Sequence, residues 1–213
     1  MYERSEETLV NVLFVADDMY PGFGGQARSS EGHIAALTAR GHSVVAVEGR
    51  DPRPTEPPSG VTVHRLPAWL VPGTQTLLAL PMLSVLRPAI AWADVVHVNL
   101  PTPLGAAALS LARRRNVPVV MGVHTQLETT TSHLPGAARW VGVGLLRWYR
   151  YVFSRADMLV APTPFAAELA RAFSAGRIEV VSNGLDLTDL PTPPPPAPAA
   201  PGQLRRLAYV GRL

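Results

Sequence analysis

The chain has 213 residues, 47% hydrophobic and 16% charged, a balance that excludes a disordered polymer and allows a sizeable core. It has no cysteine, which excludes disulfides, thiolate metal sites and cysteine nucleophiles and fits a reducing compartment. The net charge of +3 rests on arginine alone, since no lysine occurs, and is too small to argue for nucleic-acid binding.

Val10 to Ala16 is a nearly continuous apolar run, as a strand covered on both faces requires. A glycine-rich loop follows, and the spacing of His33, Ile34 and Leu37 then predicts a helix over Ala27 to Arg40, stopped by Gly41. Ser43 to Val47 and Val61 to Leu66 read as strands flanking a loop from Gly49 to Gly60. Trp69 to Trp92 is apolar and interrupted by proline, and fits no single element. Its Leu77, Leu78, Met82 and Leu83 read as core, with an acyl-chain contact as the other reading. Asp94 to Leu100 is a strand, Pro103 to Arg115 a helix with proline in its first turn, and Val117 to Val123 a buried strand. Gly136 to Ser154 is a long helical segment, Asp157 to Ala161 a strand, and Pro164 to Phe173 a helix. Ile178 to Val181 closes the series before the turn Ser182-Asn-Gly184.

This alternation predicts an α/β fold with a doubly wound, mainly parallel, Rossmann-like sheet, because parallel neighbours need crossover connections. Residues 1–187 form that domain. Residues 188–203 include Thr192-Pro-Pro-Pro-Pro-Ala-Pro198, which can neither donate backbone hydrogen bonds nor enter a helix, and so read as a stiff linker. Residues 204–213 read as the first strand of a second, truncated domain. No apolar stretch is long enough to span a bilayer, and the N-terminus lacks a signal pattern, so a cytoplasmic location is expected.

Doubly wound sheets bind ligands beyond the carboxyl ends of their strands, which selects the loops after Ala16, Asn99, Val123 and Ala161. In the first, Gly24 and Gly25 lie between strand and helix, where bare amides can approach an anion. The spacing of Gly22, Gly24 and Gly25 is not the dinucleotide pattern G-x-G-x-x-G. His124 leaves a buried strand directly and needs polar partners, either a sugar hydroxyl or a backbone carbonyl; Thr125 and Gln126 add polar capacity at the same rim. Asn99 sits near the crevice, whereas His97, inside its strand, reads as structural. Asp17 and Asp18, with Glu128, could form a hydrolytic carboxylate pair, but adjacent aspartates at a strand end more commonly accept loop or cap hydrogen bonds. Between Arg139 and Arg155, Val141, Leu145, Trp148, Tyr149, Val152 and Phe153 share one side of a helix. Packing of this stripe on the sheet is the favoured reading, and peripheral contact with an anionic membrane the alternative.

The ordered set of the Gly24-Gly25 loop, Arg40-Gly-His42, Asp94-Val-Val-His97, His124-Thr125, Ser154-Arg-Ala-Asp157, Ser182-Asn-Gly-Leu-Asp186 and Tyr209-Val-Gly-Arg212 resembles the N-terminal half of family 4 glycosyltransferases. Within them it is most similar to the branch of bacterial glycolipid and mannosyl transferases. The resemblance implies a GT-B fold of two facing Rossmann-like domains and transfer of sugar from a nucleotide sugar to an acceptor hydroxyl. It also implies retention of anomeric configuration, and neither a bound cofactor nor a metal. The donor is GDP-mannose or a UDP-hexose, and the acceptor a glycan, lipid or small molecule; no nucleic acid takes part. By the same resemblance Gly24, Gly25 and Arg212 bind the donor diphosphate, with Gly25 also at the reacting centre. His124 serves catalysis by orienting the transferred sugar. From their places at the strand exits, Asn99, Thr125 and Gln126 are expected to contact sugar or acceptor. Arg212 begins a G-R-x-x-x-x-K-G pattern whose lysine lies beyond Leu213, so the fragment is expected to be inactive alone. The alternatives are a noncatalytic membrane- or protein-interaction domain, or another nucleotide-binding Rossmann enzyme.

Overall fold

The computed structural model describes residues 8–19, 25–51, 60–71, 77–124 and 139–184. Gly24, Thr125, Gln126, Glu128 and Arg212 lie outside the described residues, as do the linker 188–203 and the final strand 204–213.

Seven strands form one parallel sheet: β1 (Asn11–Val15), β2 (Ser43–Gly49), β3 (Thr62–Leu66), β6 (Val95–Val98), β7 (Val119–Gly122), β8 (Met158–Ala161) and β9 (Arg177–Val180). Their order is β3-β2-β1-β6-β7-β8-β9. The chain winds outward from β1 to β3, then returns to β6 beside β1 and winds the other way. The reversal between β1 and β6, in register from Val12 opposite Val95 to Val15 opposite Val98, is the switch point at which such sheets open a crevice.

Both faces of β1 are buried, which explains its unbroken apolar run. Leu13 and Val15 join the larger core with Leu86, Ile90, Leu104 and Met121. Val12, Phe14 and Ala16 join the smaller core beneath Ile34 of α1 (Gly25–Ala39). Burying each large apolar side chain in this way contributes about 1.5–3 kcal/mol. The other described helices are α2 (Leu83–Trp92), α3 (Pro103–Arg114), α4 (Arg139–Phe153) and α5 (Pro164–Arg171). Thr102 and Thr163 cap α3 and α5 by accepting from the amides of Gly105 and Ala166, and Pro103 and Pro164 follow at the first helical position, where no amide is missed. Asp94 and Asp157 do matching work at the other edge of the sheet. Each accepts a neighbouring strand's first amide, from Asn11 and Val119 respectively, at 2.8 Å.

The ambiguous segment Trp69 to Trp92 resolves into two elements. A short antiparallel hairpin joins β4 (Ala68–Leu70) to β5 (Leu77–Ala79), and α2 follows. Leu77 is buried and Met82 packs against the larger core, while Leu83 is exposed.

Candidate active site

Because every strand of the main sheet is parallel, the loops after β1, β6 and β7 leave from the same edge. α1 begins at Gly25, two residues before the predicted start. Its first turn carries no acidic side chain, so its free amides face no competing carboxylate of their own. A Cβ on Gly25 would meet nothing within 4 Å, so packing does not require glycine there. The bare backbone leaves the approach to the helix N-terminus open.

α1 is fastened at this edge by two side-chain bonds. Asn99, which follows β6, donates from Nδ2 to Ser30 Oγ at 2.8 Å, and Ser30 Oγ donates to the Gln26 carbonyl at 3.0 Å. Ser29 Oγ donates to Asn183 Oδ1 at 2.9 Å, tying α1 to the Ser182-Asn-Gly184 turn after β9. Asn99, which was expected to touch sugar, is 0% exposed; its Nδ2 is engaged by Ser30 and holds α1 in place, while its Oδ1 is buried without a hydrogen-bond partner.

His124 folds back over the end of its own strand. A Cβ on Gly122 would lie 2.6 Å from His124 Cδ2 and Nε2, and 3.2 Å from the Asn99 carbonyl oxygen. Gly122 is thus what allows the imidazole to close against the exit of β6. Burial, reinforced by the nearby charge of His33, lowers the His124 pKa to about 4. Near pH 7 the ring is neutral, with one nitrogen to donate and one to accept. His97 stacks on Phe14 with ring centroids 4.3 Å apart and meets His33 at 6.2 Å. Burial lowers its pKa to about 3, with His33 and His124 adding to the shift. It is structural, as expected. Among the described residues no three such side chains are arranged to hold a metal ion.

Of the proposed carboxylates, Asp17 is taken up by the fold. Asp17 is buried and accepts from the Ala79 amide at 2.8 Å and from Thr102 Oγ1 at 2.5 Å. It therefore pins the β5 hairpin and the cap of α3 to the exit of β1, the structural use of an aspartate at a strand end. Sequence reasoning missed Ser29, Ser30, Asn183 and Gly122. The available signal was a pair of small polar residues on a helix one turn before His33 and Ile34, where an apolar stripe was due.

The fold defines a Rossmann-like domain whose switch point lies between β1 and β6. Residues 23–189 match the model described as Glycosyltransferase Family 4, and the chain belongs to that family. A GDP-mannose-dependent alpha-mannosyltransferase of Mycolicibacterium smegmatis is 32% identical over 193 residues, covering 84% of this chain and 49% of that protein. One of the same description from Mycobacterium tuberculosis is 29% identical over 189 residues, covering 84% and 48%. The chain thus spans about half the length of the curated relatives it matches. Sucrose-phosphate synthase from Thermosynechococcus elongatus superposes with a TM-score of 0.57 at 18% identity, covering 84% of this chain and 49% of that one, a likeness of fold alone. The fold is the Rossmann-like N-terminal half of a GT-B glycosyltransferase.

Proposed function

We propose that this chain is the acceptor-side half of a glycosyltransferase that moves mannose from GDP-mannose to an acceptor hydroxyl, with the configuration at the anomeric carbon retained. The family match and the two mannosyltransferase relatives support the choice of donor over a UDP-hexose. GDP-mannose is α-linked, and an α-linked product of the kind those relatives' names describe preserves that configuration.

The observation that supports the proposal is that Gly25, at the start of α1, and His124, just after β7, follow strands that end at the same edge of the parallel sheet. Breaking the sugar–diphosphate bond builds negative charge on the leaving group and positive charge at the anomeric carbon. The amide of Gly25, with the dipole of α1 behind it, stabilises the first, and the family resemblance adds Gly24 and the positive charge of Arg212 to that role. A neutral His124 orients the sugar by hydrogen bonding without adding positive charge beside the anomeric carbon. Thr125 and Gln126, next in sequence, have a hydroxyl and an amide to offer the sugar or acceptor. No protein nucleophile is assigned, and the acceptor loses its proton to the departing phosphate. We expect turnover only when the segment corresponding to the other half of the relatives is present, in a cytoplasmic setting.

The deciding experiment incubates the full-length protein with GDP-mannose, UDP-glucose and UDP-galactose and a panel of glycan and lipid acceptors. Nucleotide release and the anomeric proton of the product are followed by NMR. GDP release with an α-mannosyl product is expected. An inverted product, or no nucleotide released from any donor, overturns the proposal.

A further inference from the structure

α1 carries two adjacent serines where helical periodicity calls for apolar residues. Ser29 is 4% exposed and Ser30 0%, on the side of the helix that also buries Ala27 and Ile34. A buried hydroxyl costs free energy unless it is hydrogen-bonded, and alanine is the better helix former. Each serine is bonded, and to a different part of the sheet. Ser30 Oγ meets Asn99 just after β6, and Ser29 Oγ donates at 2.9 Å to Asn183 Oδ1, three residues past the end of β9.

In the sheet β9 stands three places from β6, a span of about 14 Å at the usual strand spacing. The exit of β7, which carries His124, lies between these two anchors. The bond at Ser30 alone leaves α1 free to swivel about it. The bond at Ser29 removes that freedom and fixes the first turns of the helix relative to the β7 exit. A turn of its own presents Asn183 for this. The Val181 amide still donates to the Ala161 carbonyl of β8 at 2.9 Å. Ser182 Oγ then accepts from the Gly184 amide at 3.3 Å, and Gly184 has a φ of +69°, a left-handed value that glycine adopts without strain. Asn183 is itself exposed, so its bond to the nearly buried Ser29, rather than burial, ties it to α1.

We propose that Asn183 is a positioning residue for the transfer reaction, acting through Ser29 to hold the N-terminus of α1 in place relative to the exit of β7. The helix amides and His124 then address the two ends of the breaking sugar–phosphate bond from one fixed arrangement. Stabilisation by preorganised dipoles depends on placement, and a shift of about 1 Å costs up to about 100-fold in rate. This role rests on the transferase reading; the clamp itself does not.

The full-length protein is compared with Ser29→Ala, Asn183→Leu and the double variant, and with Asn183→Asp, whose carboxylate still accepts from Ser29. Amide hydrogen exchange without donor should rise at residues 29–33, whose amides close the first turns of α1, in the three variants that lose the bond. Asn183→Asp should exchange as the wild type does. With GDP-mannose and an acceptor that the wild type uses, kcat should fall on the order of ten-fold in the same three variants, with the donor KM within about two-fold. The double variant should be no worse than either single one, because all three lose the same bond. Unchanged exchange in Asn183→Leu overturns the clamp, and unchanged kcat overturns its part in the reaction. Equal losses in Asn183→Asp and Asn183→Leu also overturn the proposal, since the bond would then not be the cause. A wild type that consumes no donor sinks the transferase reading instead, and the exchange measurement still decides the clamp.

Discussion

Asn99 reaches across the switch point to Ser30, Nδ2 to Oγ at 2.8 Å, and thereby joins the exit of β6 to the first turns of α1. Both residues are fully buried, so this bond cannot be exchanged for water. Ser30→Ala should cost about 1–3 kcal/mol, because it strands a buried amide. Combining Ser30→Ala with Asn99→Leu should recover part of that loss, since neither partner is then left polar. Chemical denaturation of the two single variants and the double variant gives the coupling. Strictly additive losses would show that the bond holds nothing.

Asp17 is a burial problem with a predictable pH signature. Burial raises its pKa, and the hydrogen bonds from Thr102 and Ala79 only partly offset this. The folded state thus holds its proton more tightly than the unfolded one. The protonated side chain contributes stability that is fully present below the ordinary carboxylate pKa and is lost as pH rises through the elevated one. Relative to Asp17→Asn, the wild type should therefore gain stability as pH falls through that window. Asp17→Ala, which frees both the hairpin and Thr102, should cost about 2–4 kcal/mol at neutral pH. Urea melts at several pH values measure both effects.

The histidines carry the opposite sign. His97 falls from 6.5 to about 3 and His124 from 6.5 to about 4, and the His33 pKa is lowered as well, in each case mainly through burial. The unfolded chain takes up protons first. Stability is therefore fully present above pH 6.5 and is lost as pH falls from there through the lowered values. His97→Phe, which keeps the stack on Phe14, should lie within about 1 kcal/mol of wild type at pH 7. At pH 5 it should be more stable by about 2 kcal/mol, the cost of holding the native ring neutral there. Equal acid sensitivity in the two proteins would remove His97 as a source.

Much of this was legible because parallel strands buried on both faces announce themselves. Phe14 and Leu13 point to opposite cores, so β1 had to read as unbroken apolar sequence. Once the alternation was read, the edge carrying Gly25 and His124 followed from topology. The hairpin and α2 did not follow. Pro88 sits inside α2, and local propensity argues against a helix there, but Leu86, Ala89 and Ile90 bury enough apolar surface to override it. Asn99 was placed at the crevice from its position, but sequence gives no sign that a serine from another element would engage it. On α4 the apolar stripe identified the packed face through Leu145, Tyr149, Val152 and Phe153. It also included Val141, which is largely exposed, and it missed the separate outer ridge of Trp140 and Tyr151.

Gly25 and Gly122 differ in what packing demands of them. A Cβ on Gly25 touches nothing, so Gly25→Val should leave the Tm within a degree or two while obstructing the diphosphate at the helix N-terminus. Turnover by the full-length protein should fall about 100-fold, as when one preorganised donor is removed. A Cβ on Gly122 collides with the imidazole at 2.6 Å, so Gly122→Ala must displace His124 from the exit of β6. Gly122→Ala and His124→Ala should then lose turnover to a similar degree, and the double variant should be little worse than either, because both remove the same group. Additive losses in kcat/KM would mean that Gly122 serves the site by some route other than His124. Unimpaired transfer by His124→Ala would take the imidazole out of the reaction altogether.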